Sequence, residues 1–241
     1  MSDDDTLKTW REWLVQIEED IEQLYEFRRI YKDTREIISK NPAVQAPSLY
    51  HDFVDSCYVA YAVMAIRRQA RCRKDSVSLV RLLKEIEKRP CIMSRQRFVA
   101  MYPEGPARNW LAGPDYDRFS DKDGNQVSSE VVRQDRHKLG DNDELGSRQD
   151  RERLGSAYDR VIMLANKRVA HLDYTEPIDP VPTYADLDDA INALGSVFNK
   201  YSVLLTGTSF LKIEPTIVVD WTTIFQVPWL PDVSAESDSD E

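Results

Sequence analysis

The sequence predicts an all-α fold, an antiparallel bundle of four to five long helices, and two observations support this. Apolar residues recur at spacings of three, four and seven over several long stretches, the period of an amphipathic helix. The chain also has only 8 glycines in 241 residues, too few for the dense turns of a β-sandwich or barrel. With 10% aromatic residues, including five tryptophans, it can bury a core.

The first helix has the clearest pattern and ends at Asn41-Pro42. Thr9 and Glu12 have the spacing of a capping box, although Asp5 or Thr6 could cap the helix one turn earlier. The predicted apolar stripe is Trp10, Leu14, Ile17, Ile21, Leu24, Phe27, Tyr31 and Ile38.

Two more helices are predicted before residue 90. Ser48 is expected to start the second helix, which runs to about Cys72 and buries Phe53 and Cys57 among others. The third helix is predicted to begin at Ser76 and to stop at Arg89-Pro90. A short helix from Ser94 to Met101 is expected to follow.

Residues 103–145 are rich in Pro, Gly and charge and are predicted to be an insertion, with a helix from Ser128 to Leu139 inside it. The segment QDRHKLG at 134–140 recurs as QDRERLG at 149–155. These copies are interpreted either as two turns that end at a Leu-Gly helix stop or as a duplicated binding unit. Residues 1–230 are predicted to form one helical domain, followed by an acidic disordered tail at 231–241.

The last two long helices are predicted at 157–172 and 183–205, with Thr206-Gly207 ending the second. The sequence TIVVDWTTIFQVPWLP that follows alternates enough for a short strand. Its aromatic residues favour a strap laid across the bundle instead.

The formal net charge of −10 arises mainly at the two ends of the chain. Eight acids lie there without a Lys or Arg among them, and without those eight the charge is −2. Residues 67–97 hold eleven Lys or Arg and three acids, whereas 171–189 hold six acids and no Lys or Arg. A basic surface is therefore expected on an acidic protein.

Neither a metal nor a cofactor is predicted. Three cysteines, Cys57, Cys72 and Cys91, match no disulfide or zinc pattern and are expected to be reduced and buried. Residues 119–130 resemble a calcium loop but begin with Phe119 where the first carboxylate is needed. With no signal-peptide pattern and no long apolar run, we expect a cytoplasmic protein without a membrane partner.

A basic cluster ends the predicted second helix: Arg67, Arg68, Arg71, Arg73 and Lys74. Two interpretations remain open. Cations are favourable beside the negative end of a helix dipole. Clustered guanidinium groups also bind nucleic-acid phosphates, with an affinity that falls as salt rises.

Three segments together resemble the HEPN superfamily, in its prokaryotic abortive-infection U-type (AbiU-like) branch. They are ANKRVAHLD at 165–173, MAIRRQARCRKDSVSLVRLL at 64–83 and WTTIFQVPW at 221–229. The resemblance implies an antiparallel bundle that forms homodimers with the two signature segments facing each other. It also implies metal-independent RNA cleavage in phage defence or a toxin–antitoxin system, with an antitoxin or another defence protein as partner.

The family signature is an arginine, then four to six intervening residues, then a histidine. His171 supplies the histidine, but the permitted arginine positions hold Asn166, Ala165 and Leu164. Lys167 and Arg168 lie one helical turn before His171, and Arg160 returns to the same face.

The resemblance points to His171, and we predict a catalytic group of His171, Arg168, Lys167, Asn166 and Asp173. On the phosphate-contact interpretation of the basic cluster, RNA is bound by Arg67, Arg68 and Arg71, together with Arg160 on the face of His171. An imidazole with a pKa of about 6.5 exchanges protons near neutral pH, and a nearby cation stabilises charge on the phosphorane. Asp173 would orient the ring.

Two alternatives remain open. His171 could instead cap its helix end, where a cation is favourable. The chain could also be a catalytically silent module that holds a partner protein through the aromatic strap and the bundle surface.

Overall fold

The computed structural model describes residues 2–46, 48–89, 92–93, 100, 147–165, 182–208, 213, 217 and 219–227. Within them the chain forms five α-helices and a short 3₁₀-helix at Trp221–Gln226, and no strand occurs in these ranges. The α-helices are α1 (Asp3–Lys40), α2 (Leu49–Ala70), α3 (Leu79–Lys88), α4 (Ser147–Leu164) and α5 (Tyr184–Thr206). The predicted all-α bundle is therefore confirmed.

The helix α1 begins earlier than predicted. Ser2 is the N-cap, because its hydroxyl accepts a hydrogen bond from the amide of Asp5 and the Asp5 carboxylate accepts one from the amide of Ser2, each at 3.1 Å. The prediction of a cap at Thr9, or at Asp5 or Thr6, was wrong. The Thr9 hydroxyl instead donates to the carbonyl of Asp5, 2.9 Å away, inside the helix.

Serine side chains cap the next two helices. Ser48 accepts a hydrogen bond from the amide of His51, which confirms the predicted start of α2. Ser78 caps α3 by accepting from the amide of Arg81, so the predicted start at Ser76 lay two residues too early. The predicted short helix at 94–101 and the insertion at 103–145 lie outside the described residues, apart from Ala100.

The helix α4 runs through Gly155, so the predicted Leu-Gly stop was wrong at this copy of the repeat. Its buried stripe continues on both sides of the glycine through Leu154, Tyr158 and Val161, and this packing keeps the chain helical. Gly140, in the other copy, lies outside the described residues.

Both predicted ends of α5 are confirmed. Thr183 and Asp186 form a capping box at its start. Gly207 follows the last turn with a φ of 76°, the left-handed conformation in which glycine ends helices.

The core is arranged around α5, which packs against α1, α2 and α4, while α3 closes the bundle against α4, α2 and α1. Ten of the most deeply enclosed side chains belong to all five helices: Leu14, Ile17, Ile21, Leu24, Ile66, Leu79, Leu82, Tyr158, Phe198 and Tyr201. The predicted stripe of α1 supplies four of these ten, whereas Phe27, also predicted to belong to it, is exposed.

The first turns of α2 are not part of that core. Leu49 is 88% exposed and Phe53 63% exposed, and the buried residues of α2 begin only at Tyr58. Cys57 and Cys72 are also exposed, so the prediction of buried thiols was wrong for both, and Cys91 lies outside the described residues. An apolar period identifies a face that can be buried, but burial also needs a neighbouring element to cover it.

At the edge of the core, an aromatic contact connects α1 and α2. The ring of Tyr31 stacks on that of Tyr58, with centroids 3.9 Å apart. The Tyr31 hydroxyl donates to the Asp55 carboxylate at 2.9 Å, which orients the stack.

The described part of the C-terminal aromatic segment does not form the alternative strand. Residues Trp221–Gln226 make one 3₁₀-helix, started by the Asp220 side chain, which accepts from the amide of Thr222. Ile224, Phe225 and Val227 remain exposed.

A buried ion pair joins α4 to α5. Asp150 accepts hydrogen bonds from the ammonium group of Lys200 at 2.7 Å and from the hydroxyl of Tyr201 at 2.8 Å. The Asp150 side chain is only 3% exposed, so its charge depends on these two donors. Over the described ranges no helix is long and apolar enough to cross a membrane.

Replacing Gly195 with alanine should destabilise the protein, because α1 and α5 touch at this residue. An added Cβ would lie 2.1 Å from the hydroxyl oxygen of Tyr25 and 2.9 Å from Cδ1 of Ile213. Tyr25 donates to the carbonyl of Ile191, so moving its ring also breaks a buried hydrogen bond. We expect a loss of about 1–3 kcal/mol in urea unfolding.

Gly155→Ala is the matched control, because nothing lies within 4 Å of an added Cβ there. Since alanine is the better helix former, this variant should gain about 0.5–1 kcal/mol. Equal changes in the two variants would contradict the close approach at Gly195.

Removing the buried carboxylate should be costly. Asp150→Ala leaves the Lys200 ammonium and the Tyr201 hydroxyl without their acceptor, and we expect a loss of about 3–5 kcal/mol in the free energy of unfolding. Glu152→Ala, on the exposed face of the same helix, removes an ion pair with Arg148 that is open to water. That control should leave the urea midpoint unchanged.

Candidate functional site: the basic end of the second helix

The residues of the predicted catalytic group lie outside the described residues. Helix α4 ends at Leu164 and leads directly to them: Asn166, Lys167, Arg168, His171 and Asp173. Their roles therefore remain predictions. The four arginines predicted to bind RNA are all described, and the structure separates them into two groups.

Arg160 contacts a helix terminus. Its Nη2 lies 2.9 Å from Oδ1 of Asp186, the residue that completes the capping box of α5. This contact joins the end of α4 to the start of α5, the next helix along the chain. Within the described residues, Arg160 therefore has a structural partner.

Arg68 is also paired. Its Nε donates to Oδ1 of Asp20 on α1 at 3.1 Å, and Gln69 donates to the other carboxylate oxygen at 2.7 Å. The carbonyl oxygen of the Gln69 side chain accepts from the amide of Leu79, 2.9 Å away, in the first turn of α3. Asp20 and Gln69 together connect α1, α2 and the start of α3.

Sequence reasoning did not identify Asp20 or Gln69. A signal existed, because Asp20 lies beside the apolar stripe, three residues after Ile17 and four before Leu24. A polar residue at the edge of a buried stripe is positioned to reach a neighbouring helix. The sequence does not reveal which residue of the neighbour it meets.

The connection between α2 and α3 is held in a defined path. Arg71 follows α2 with an extended backbone (φ −79°, ψ 138°), and its carbonyl accepts from the hydroxyl of Ser78. Nη1 of Arg81 donates to the carbonyl of Ser76 at 2.5 Å, and the Arg81 guanidinium lies 4.2 Å above the ring centre of Trp13. These contacts tie residues 71–78 to α3 and to α1.

The second group contains Arg67 and Arg71, and together with the nearby Arg73 we call them the arginine cluster. No ion pair with any of them occurs within the described ranges. Arg67 is partly buried, and its Nε is enclosed with no hydrogen-bond acceptor. Its Nη1 faces the thioether sulfur of Met64 at 3.9 Å, a weak acceptor.

Mutual repulsion acts within this cluster. Burial is the main cause that lowers the pKa of the Arg67 guanidinium, and the positive charges of Arg71 and Arg73 lower it further. The group remains charged near neutral pH because an arginine side chain has a very high pKa. The cluster is therefore a fixed concentration of positive charge, whereas Arg68 beside it is neutralised by Asp20.

The described part of the chain holds no group of three His, Cys, Asp or Glu residues placed to bind a metal ion. What the cluster can do chemically is bind an anion, because guanidinium groups donate several charge-assisted hydrogen bonds and accept none.

A family model named HEPN_AbiU2, with the description AbiU2, matches residues 7–214 of the 241. The chain belongs to the HEPN AbiU2 family. The match covers all five α-helices over nearly their whole length and includes both the arginine cluster and the segment around His171. This confirms the resemblance, and the match includes two of the three segments from which it was drawn, whereas 221–229 lies beyond its end. No curated protein and no solved structure matches the chain.

Asp20→Ala should destabilise the protein by about 1–3 kcal/mol in urea unfolding, because it leaves the buried amide of Gln69 without its acceptor. Hydrogen exchange at the Leu79 amide should also accelerate, since Gln69 is no longer held in place. Asp33→Ala, which removes an exposed ion pair with Arg29 on the same helix, is the control and should change neither quantity.

Proposed function

We propose that this HEPN AbiU2 family protein acts on RNA as a metal-independent endoribonuclease in prokaryotic phage defence or a toxin–antitoxin type system. The observation that carries the proposal is the family match over residues 7–214, which includes the segment ANKRVAHLD. The arginine cluster adds support, because a fixed positive charge without a described carboxylate partner suits a polyanionic substrate.

In this proposal His171 carries the chemistry. Its imidazole accepts the proton of a ribose 2′-hydroxyl, so that the oxygen attacks the adjacent phosphorus, and a proton is returned to the leaving 5′-oxygen. Asp173 orients the ring. Lys167 and Arg168, one turn earlier, offset the charge on the phosphorane, and Asn166 donates a hydrogen bond to it.

Arg160 is the least suited of the nearby cations to replace the missing signature arginine. It already pairs with Asp186 at the start of α5, and moving it toward RNA would expose that carboxylate. We therefore propose that Lys167 and Arg168 stabilise the charge on the phosphorane and that Arg160 joins α4 to α5.

The resemblance also implies a homodimer and an antitoxin or other defence protein as partner, and both belong to the proposal. A cytoplasmic location belongs to it as well, since that is where the RNA would be met.

A second candidate is a catalytically silent interaction module. The observation that favours it is the exposed apolar surface on the first turns of α2, made by Leu49, Tyr50 and Phe53. Asn166, Ala165 and Leu164 at the permitted arginine positions also favour it. Such a module would bind a protein partner and leave RNA intact.

Incubating the purified full chain with tRNA and with single-stranded RNA in EDTA should give cleavage, and His171→Ala should slow it about 10²- to 10⁴-fold, as expected when a general base is removed. His51→Ala is the matched control, because His51 lies in the first turn of α2, and its rate should equal that of the wild type. Absence of cleavage by the wild type, or unchanged cleavage by His171→Ala, would rule out the enzyme and leave the interaction module.

A further inference from the structure

We propose that Arg67, Arg71 and Arg73 form a binding site for a phosphate group at the end of α2. The site deepens the proposed function by naming the place where RNA is held, and in that sense rests on it. Its test is nevertheless separate from cleavage at His171. Single-stranded RNA and free nucleotides both carry the group that the site would bind.

The first step of the argument is a contrast among arginines. Many other arginines in the described ranges contact a carboxylate, an amide, a carbonyl or a hydroxyl oxygen. They include Arg11, Arg28, Arg29, Arg35, Arg68, Arg81, Arg89, Arg148, Arg151 and Arg160. The arginine cluster differs from all of these, since the side chains of its three members have no such contact within the same ranges.

The second step is the enclosure of Arg67. A guanidinium at the end of a helix can gain from the helix dipole while it stays in water. Arg67 instead has its Nε enclosed without an acceptor and two further positive charges beside it. The helix dipole does not require either feature, whereas a bound anion would satisfy the donor and offset all three charges.

The third step is the frame around the cluster. The carbonyls of Arg71 and Ser76 are fixed by Ser78 and Arg81, and the amide of Ser76 donates to the carbonyl of Arg73 at 3.5 Å. The positions that carry the cluster are therefore set before any ligand arrives, which lowers the entropic cost of binding.

A second polar group in this frame also lacks a partner. The hydroxyl of Ser76 is buried with no hydrogen-bond partner in the described part of the chain. Asp75 is the one carboxylate in residues 67–78, and no ion pair joins it to the cluster among the described residues. The end of α2 and its connection to α3 thus carry three guanidiniums and a hydroxyl without a described partner, and phosphate oxygens accept hydrogen bonds from such groups.

A phosphate group fits this set better than a carboxylate. Its several oxygens can accept from more than one guanidinium fork at the same time, and its charge exceeds that of a carboxylate when it is terminal. Lys74 is exposed in the same connection and extends the positive surface, so that it could contact the next phosphate of a bound RNA.

The test measures the affinity of the full chain for two probes, a fluorescein-labelled single-stranded oligouridine and ATP. The double variant Arg67→Gln/Arg71→Gln should bind at least tenfold more weakly to each probe that the wild type binds. For the RNA probe it should also reduce the slope of log affinity against log salt by about 0.7 for each phosphate that the variant no longer binds. Arg29→Gln removes one positive charge from the exposed face of α1, and it should leave the affinity within twofold of the wild type.

The two probes distinguish the sources of the phosphate. If ATP binds and competes with RNA, the site also binds free nucleotides. If only the RNA probe binds, the site recognises the backbone of an RNA strand. Failure of both probes to bind the wild type, or equal binding by Arg67→Gln/Arg71→Gln, would overturn the proposal.

Thermal unfolding in phosphate-free buffer separates this site from a purely structural role. Because Arg67→Gln removes a repelled charge, its melting temperature should equal or exceed that of the wild type. If Arg67 only stabilises the helix dipole, the melting temperature should fall, and that result would overturn the proposal. The cleavage rate is measured on His171→Ala and the RNA affinity on Arg67→Gln/Arg71→Gln, so that failure of the proposed enzyme and failure of this binding site are distinguished.

Discussion

The structure depends on the enclosure of α5 by the other helices. One face of this helix is buried from Leu187 to Leu205, so each neighbouring helix has to match the side chains on that face. At Gly195 the absence of a side chain lets Tyr25 approach closely and donate to the Ile191 carbonyl. At Lys200 a charge is enclosed, and Asp150 on α4 has to meet it. These two contacts fix the register of α1 and α4 against α5, and the remaining apolar contacts follow from that register.

Much of this fold could be predicted from local sequence. Thr183 and Gly207 bound α5 because capping is a short-range effect, and the period of α1 identified its buried face. The failures have long-range causes. Gly155 does not end α4 because packing on both sides keeps the helix intact, and Phe53 is exposed because no described helix covers the first turns of α2. Spacing in the sequence does not contain that information.

The candidate site shows the same division. Adjacent arginines in the sequence look equivalent, and both Arg67 and Arg68 were expected to bind RNA. The structure distinguishes them, because Asp20, 48 residues before Arg68, neutralises one and leaves the other repelled by its neighbours. Positive charge can be counted from the sequence. Whether that charge is available to a ligand depends on which acids lie nearby in the fold.

The paired residues explain how the arginine cluster can persist. Crowded guanidiniums repel one another and would move apart on a mobile chain. Here Gln69 binds Asp20 and the first amide of α3 at once, and Arg81 holds the Ser76 carbonyl while it lies on Trp13. Stabilising contacts on either side of the cluster thus keep a locally unfavourable arrangement in place. Such positions are typical of places where function and stability are in conflict, and the proposed anion would offset the repulsion between the guanidiniums.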